Sequence, residues 1–182
     1  DADMTFPDQQ TVDSLDWSSG AWRAPGTHPY IPANRTWAGA WTCKHPTTED
    51  VYVGTYTTVQ KWNPLTNTWT KLCEVPADVT HRGMAALDPN TGTVLRLGWA
   101  TGAVGTAFNA HAINIATGTL TVGSLAGPAV GSVVIDGFAA IGGGFVYDLG
   151  LKCFLLFQGN GVVLKITPGD GTGWYVDFLA TT

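Results

Sequence analysis

The stretch Val59-Gln60-Lys61-Trp62-Asn63-Pro64-Leu65-Thr66-Asn67-Thr68-Trp69-Thr70-Lys71-Leu72 sets β-forming residues on both sides of an Asn-Pro-x-Thr-Asn turn. Asparagine favours a turn by hydrogen-bonding its own backbone two residues on, and proline by presetting φ. The flanks hold Val, Trp and Thr, which suit a pleated, half-buried surface. The stretch therefore predicts a β-hairpin. Weaker copies run from Leu15 to Trp22, Ala112 to Val122 and Val163 to Phe178. Aligned on the residue that opens the turn, Asp16, Asn63, Asn114 and Lys165 fall at offsets of 47, 51 and 51. In three copies an aromatic or aliphatic residue follows six positions later, as Trp22, Trp69 and Leu120. The fourth copy carries a longer loop, Thr167-Pro168-Gly169-Asp170-Gly171-Thr172-Gly173, before Trp174.

A second hairpin type lies between these turns. Ala85 to Gly98 turns at Asp88-Pro89-Asn90-Thr91-Gly92, Ala40 to Gly54 at His45-Pro46-Thr47-Thr48-Glu49-Asp50, and Phe145 to Gly159 at Asp148-Leu149-Gly150. Each sets an apolar run, a short polar punctuation and a β-branched or aromatic run in sequence, which is how hairpins read. Gly92 is expected in the left-handed region that closes a bulged hairpin.

Two hairpins per period make one four-stranded antiparallel sheet, and about 50 residues is the kelch spacing among propeller repeats. The run Asn63-Pro64-Leu65-Thr66-Asn67-Thr68-Trp69 resembles the kelch repeat, as does the glycine ending each second-type hairpin. The resemblance extends over roughly Asp13 to Phe178 and is closest from Trp62 to Leu72. The doubled glycine of most kelch repeats is missing at Gly54 and Gly159, and at Gly98 the pair reads Gly-Trp. The resemblance implies an all-β chain: a kelch-like β-propeller portion of about three and a half four-stranded antiparallel blades. Within one domain over 1–182, the blades are expected at 35–76, 80–125 and 133–179, with an orphan hairpin at 5–25. Closed propellers have 4–8 blades, so copies of the chain, a partner or a longer polypeptide are expected to complete the ring.

Composition excludes several classes. Apolar residues make up 45% of the 182 and charged residues 13%, which is incompatible with disorder. A net charge of −5 with scattered basic residues argues against nucleic acid, whose binding needs a cationic stripe. Glycines at 127, 131, 137, 142, 143 and 144 break up the most apolar window, so no membrane span is expected. Cys43, Cys73 and Cys153 are odd in number and widely spaced, so they read as small buried apolar side chains rather than a disulfide framework. The start at Asp1 reads as that of a processed or excised chain, and the compartment is left open, with an extracellular or virion setting favoured by composition.

Candidate binding residues are Trp37, Trp41 and Trp99, aromatic faces near inferred strand ends that suit stacking on sugar rings. Arg35 and Arg82, 47 residues apart, precede the first strand of successive blades, where a guanidinium can grip carboxylates or hydroxyls. His81, beside Arg82, is the best placed of the four histidines. Trp22, Trp69 and Trp174 are expected in blade packing. No metal or cofactor is expected, since the histidines lack ligand spacing, and no catalytic motif is recognisable. The expected function is therefore a non-enzymatic binding or assembly module engaging a glycan or protein through rim loops, with a viral or extracellular particle as its setting. The alternatives are part of a carbohydrate-acting propeller enzyme, for which Asp136, Asp148, Asp170 and Asp177 are the acidic candidates, or a purely structural repeat block.

Overall fold

In the computed structural model the described residues are 11–12, 15–16, 21–22, 26–27, 41–54, 58–75, 79–100, 108–133, 144–158 and 161–179. Side chains are described from residue 41 onward, except at 79–83, 99–100 and 108. Near the N-terminus β1 (Thr11–Val12) and β2 (Leu15–Asp16) are followed by β3 (Ala21–Trp22) and β4 (Gly26–Thr27). β1 pairs with β4 and β2 with β3, so Leu15 stands opposite Trp22 across a short antiparallel ladder.

Three four-stranded meanders follow. The first comprises β5 (Trp41–Lys44), β6 (Val51–Gly54), β7 (Thr58–Asn63) and β8 (Thr68–Glu74). The second comprises β9 (Val79–Asp88), β10 (Thr93–Ala100), β11 (Phe108–Asn114) and β12 (Leu120–Ala126). The third comprises β13 (Gly144–Asp148), β14 (Cys153–Phe157), β15 (Val163–Pro168) and β16 (Trp174–Phe178). A 3-10 turn, Val130–Ser132, lies between the last two.

The chain is all-β, but its sheets are not three separate blades. The first meander is a sheet of its own, whereas the other two join into one eight-stranded sheet in the order β13-β14-β15-β16-β12-β11-β10-β9. The junction is a short parallel pairing, Leu125 with Trp174 and Ala126 with Tyr175. Because β13 also lies against β9, the sheet curls into a nearly closed, barrel-like form. The cause is glycine at the junction. A Cβ on Gly123 would lie 1.9 Å from the Thr172 carbonyl oxygen, and one on Gly127 2.4 Å from that of Val176. Only residues without a side chain let two backbones approach so closely.

Five hairpin turns share one design. The opening residue offers a side-chain acceptor to the backbone of the turn, and the fifth residue is left-handed. Asn63 Oδ1 accepts from the N–H groups of Leu65 (2.9 Å) and Thr66 (3.1 Å), and Asn67 has φ 51°. Fifty-one positions on, Asn114 Oδ1 accepts from Ala116 (2.9 Å) and Thr117 (3.1 Å), and Gly118 has φ 70°. Hydroxyls match as well: Thr66 to Thr68 and Thr117 to Thr119, both 2.8 Å. In the other hairpin type, Asp88 Oδ1 accepts from Asn90 (2.9 Å), Asp148 Oδ1 from Leu151 (2.8 Å), and His45 Nδ1 from Thr47 and Thr48. Their fifth residues are Gly92 (φ 66°), Lys152 (φ 52°) and Glu49 (φ 63°).

Gly92 thus adopts the conformation its sequence implies. Two details differ from expectation. The third turn of this type, read from the sequence as Asp148-Leu149-Gly150, extends from Asp148 to Cys153 and has Lys152 in the left-handed region. Lys165 does not open a turn; it stands mid-ladder opposite Asp177, and the turn runs from Pro168 to Trp174. The glycine-rich loop shifts the reversal three positions along the chain. A left-handed conformation costs an L-residue about 1–2 kcal/mol. Lys152→Gly is therefore expected to stabilise the fold by about 1 kcal/mol, read as a rise in the thermal midpoint of about 2–4 °C for a chain this size.

Among the described residues the core has two compartments, one on each face of the middle meander. Ala86, Leu95, Leu97 and Ala110 pack with Phe145, Phe154, Leu156, Leu164, Ile166, Trp174 and Val176 of the third meander. Within this group Phe154 meets Trp174 edge-on at 5.7 Å and stacks on Phe145 at 5.6 Å. Leu87, Val94 and Ile113 turn the other way, onto Trp41, Tyr52 and Val59 of the first meander. A strand covered on both faces reads as a continuous apolar run. That accounts for Val94-Leu95-x-Leu97, and makes the intervening Arg96 notable.

Candidate binding site at the bulged end of the middle sheet

The β9–β10 ladder is regular from Asp88–Thr93 to Met84–Leu97 and then resumes at Thr80–Trp99. His81, Arg82 and Gly83 therefore stand opposite Gly98 alone. A bulge of this kind breaks the pairing, bends the strand and re-aims side chains, and such bulges recur beside binding sites. Across β10 the register continues with Gly98 opposite Asn109 and Trp99 opposite Phe108. The backbone thus gathers His81, Arg82, Trp99, Phe108 and Asn109 at the end of the sheet remote from its hairpin turns.

Three of the six expected site residues, His81, Arg82 and Trp99, share this end through their backbone positions; their side chains lie outside those described. Arg35 and Trp37 lie outside the described residues altogether. Trp41 is elsewhere and is buried at 5% exposure. Its indole lies over Gly54, so close that a Cβ there would sit 2.0 Å from Cε2. That ring is core, with no face free to stack on a sugar. Of the tryptophans expected in packing, Trp174 is core, whereas half-buried Trp69 stacks on Trp62 at 5.8 Å beside the turn. Trp62 in turn donates from Nε1 to Asn67 Oδ1 at 3.1 Å. The Trp22 side chain is outside those described.

Two residues inboard of the bulge, Arg96 and His111 face each other across the β10–β11 ladder. Their exposures are 1% and 0%. They alternate with Val94 and Ile113 along the face turned to the first meander, and neither is without a partner. Burying a guanidinium is costly unless it is paired and hydrogen-bonded, so a position that keeps one is specified rather than incidental. Sequence reasoning passed over both. Their signal was a lone basic residue in Val94-Leu95-Arg96-Leu97 and a lone histidine in Ala110-His111-Ala112, placed opposite by the Thr93–Asn114 register.

At the other end of the sheet an open cleft of about 360 Å³ is lined by Thr93, Ala112, Asn114, Thr117, Thr119 and Thr121. It is hydroxyl-rich and uncharged. The acidic candidates are dispersed among hairpin positions. Asp148 holds its turn, Asp170 accepts at its carbonyl from Gly173 N–H, and Asp177 stands opposite Lys165. Asp136 lies outside the described residues. Among the described residues no group of three or more His, Cys, Asp or Glu is arranged to hold a metal ion. No described helix is long and apolar enough to cross a membrane.

The cysteines are free thiols in this fold. Burial pushes Cys43 up to about 12 and raises Cys73 and Cys153 as well. Tyr52, opposite Cys43, is also pushed to about 12, by burial first and then by Asp50 and Cys43. The folded state thus prefers these groups neutral while the unfolded chain releases their protons from about 9 for the thiol. Stability from this pair is fully present below pH 9 and is lost as pH rises toward 12. A falling thermal midpoint across that window, blunted in Cys43→Ala, is the expected result. The same burial makes Cys43 slow to alkylate at pH 8 until the chain is unfolded.

The chain matches no protein-family model and no curated protein.

Proposed function

We propose that the chain is a non-enzymatic binding and assembly module, built as an arc of a kelch-like β-propeller whose bulged inner strand carries the ligand site. The observation that supports this most is a relation between neighbouring meanders that occurs twice. Gly118, in the outer turn of the second meander, stands against Leu72 of β8, whose carbonyl oxygen would be 2.3 Å from an added Cβ. Thr172 and Gly173, in the outer turn of the third, stand in the same way against Gly123 and Ser124 of β12. At the opposite edge the first strands are neighbours: β9 lies against β5, and β13 against β9. First strands together and outer turns overlapping is the arrangement that radial blades adopt.

In such an arc β9 is an inner strand, and its bulge sets the backbone of His81 and Arg82 beside the region where ligands of propellers gather. Arginine, histidine and tryptophan together suit a glycan or an acidic protein surface. The weakly charged, threonine- and glycine-rich composition fits a component of an extracellular or viral particle.

The test is binding to a glycan array and to candidate protein partners by wild type, Arg82→Ala and Trp99→Ala. Each substitution is expected to weaken binding about tenfold or more, as hot-spot truncation does. Binding that survives both changes intact would move the site away from the bulge.

A further inference from the structure

The cleft at the turn end of the middle meander owes its existence to two positions that the other meanders fill differently. Lys61, Ala112 and Lys165 occupy one of them. Each stands on the third strand of its meander, opposite Tyr52, Leu95 and Leu155 of the second strand and Thr70, Thr121 and Asp177 of the fourth. The other position follows the left-handed residue of the first turn and holds Asp50, Thr93 and Cys153. In the first meander the two are bridged, with Lys61 Nζ 3.7 Å from Asp50 Oδ2. In the middle meander both are small and uncharged, and there the cleft of about 360 Å³ opens. The surrounding turn is the same in both. Asn63, Thr66, Thr68 and Thr70 recur 51 positions on as Asn114, Thr117, Thr119 and Thr121. The cleft therefore comes from a missing lysine and carboxylate, not from a different turn.

We propose that this cleft binds a neutral sugar. It is a site separate from the bulge, at the opposite end of the sheet. Its volume lies at the lower end of ligand clefts, about 300–1,000 Å³, and suits a single ring. None of the lining residues is charged, so an ionic ligand would lose its hydration with nothing to replace it. Hydrogen-bonding groups are instead held in place by the turn. Asn114 Oδ1 is committed to the N–H groups of Ala116 and Thr117, which fixes the amide and leaves the Nδ2 hydrogens for a ligand. Thr117 Oγ1 donates to Thr119 Oγ1 at 2.8 Å and accepts from the Thr119 N–H at 3.2 Å, so the Thr119 hydroxyl hydrogen is unspent. The Thr121 hydroxyl bonds to no described residue. Ala112, half-buried against the core, adds an apolar patch. Fixed donors, hydroxyls that also accept and a methyl between them match a sugar's alternation of hydroxyl and C–H surface. Because these groups are pre-set, little ordering is lost on binding. No aromatic ring lines the cleft, so a single sugar ring is expected to bind with a dissociation constant of about 1 mM.

The experiment is a titration of the isotope-labelled whole chain, followed by two-dimensional amide NMR. The probes are methyl glucoside, methyl galactoside, methyl mannoside and N-acetylglucosamine, each taken to about 50 mM, well above the expected constant. At least one is expected to give saturable shifts at the amides of Ala116, Thr117, Gly118 and Thr119 and at the Asn114 side-chain amide. Ala112→Lys restores the residue that both sibling meanders carry, so it is expected to keep the wild-type circular dichroism spectrum and to weaken binding about tenfold or more. Thr121→Val keeps the shape, removes one hydroxyl and is expected to weaken binding about fivefold. Arg82→Ala and Trp99→Ala are expected to leave it unchanged, so failure of the bulge site and failure of the cleft are read separately. A wild type that none of the sugars shifts saturably overturns the proposal. So does binding that survives both Ala112→Lys and Thr121→Val intact, or binding that Arg82→Ala abolishes.

Discussion

Gly54→Ala is expected to destabilise the fold by about 3 kcal/mol or more, out of all proportion to one added methyl. Gly54 does not need glycine for its backbone, since it is not among the residues with positive φ. The difficulty is the indole of Trp41, which lies directly across the ladder from it. An ideal Cβ would be 2.0 Å from Cε2, 2.1 Å from Nε1 and 2.4 Å from Cζ2. The ring has no easy retreat, because it is packed in the compartment it shares with Tyr52, Val59, Leu87, Val94 and Ile113. For a chain this size the loss corresponds to about 6–12 °C in thermal midpoint. Gly131→Ala is the control, since nothing lies within 4 Å of its Cβ position, and it is expected to stay within about 0.5 kcal/mol of wild type. Equal melting of the two variants would mean that Trp41 does not rest on Gly54.

Gly123→Ala is expected to be at least as damaging, for a different reason. Its Cβ would meet a backbone carbonyl, that of Thr172, at 1.9 Å, and a backbone atom cannot rotate away as a side chain can. The parallel pairing of Leu125–Ala126 with Trp174–Tyr175 sits just beyond and must open to relieve the clash. A loss of about 3 kcal/mol or more follows, accompanied by faster amide exchange along β12 and β16. Exchange unchanged in those strands would show that they are not held together at this point.

Local chemistry made the hairpins readable. Asn63, Asp88, Asn114 and Asp148 announce their turns because each supplies an acceptor to its own backbone. Gly92 and Gly118 mark left-handed positions for the same local reason. Where the signal was weaker the reversal was misplaced. Gly150 drew attention from Lys152, and Lys165 was aligned as an opener when the glycine-rich loop displaces the turn to Pro168.

Tertiary relations were less legible. Gly127 was counted only as a breaker of an apolar run and Gly123 went unremarked, although their missing side chains let β12 meet β16. Trp41 was a candidate for binding because aromatic content alone does not tell a stacked ligand from a neighbouring glycine. Of the site, His81, Arg82 and Trp99 were singled out before their shared end of the sheet was known. Arg96 and His111 went unnoticed because their burial depends on the first meander, some 40 residues away along the chain.

The middle meander is sealed on both faces, and this ranks the parts of the molecule by how readily they come undone. Each outer meander can peel away and leave one flank of the centre wetted, while the centre cannot open unless a neighbour departs first. Nearest-neighbour coupling of this kind makes loss of structure proceed inward from the ends. Amides of β9, β10 and β11 should accordingly be the last to exchange with deuterated solvent, and a protease should trim the flanks well before it reaches them.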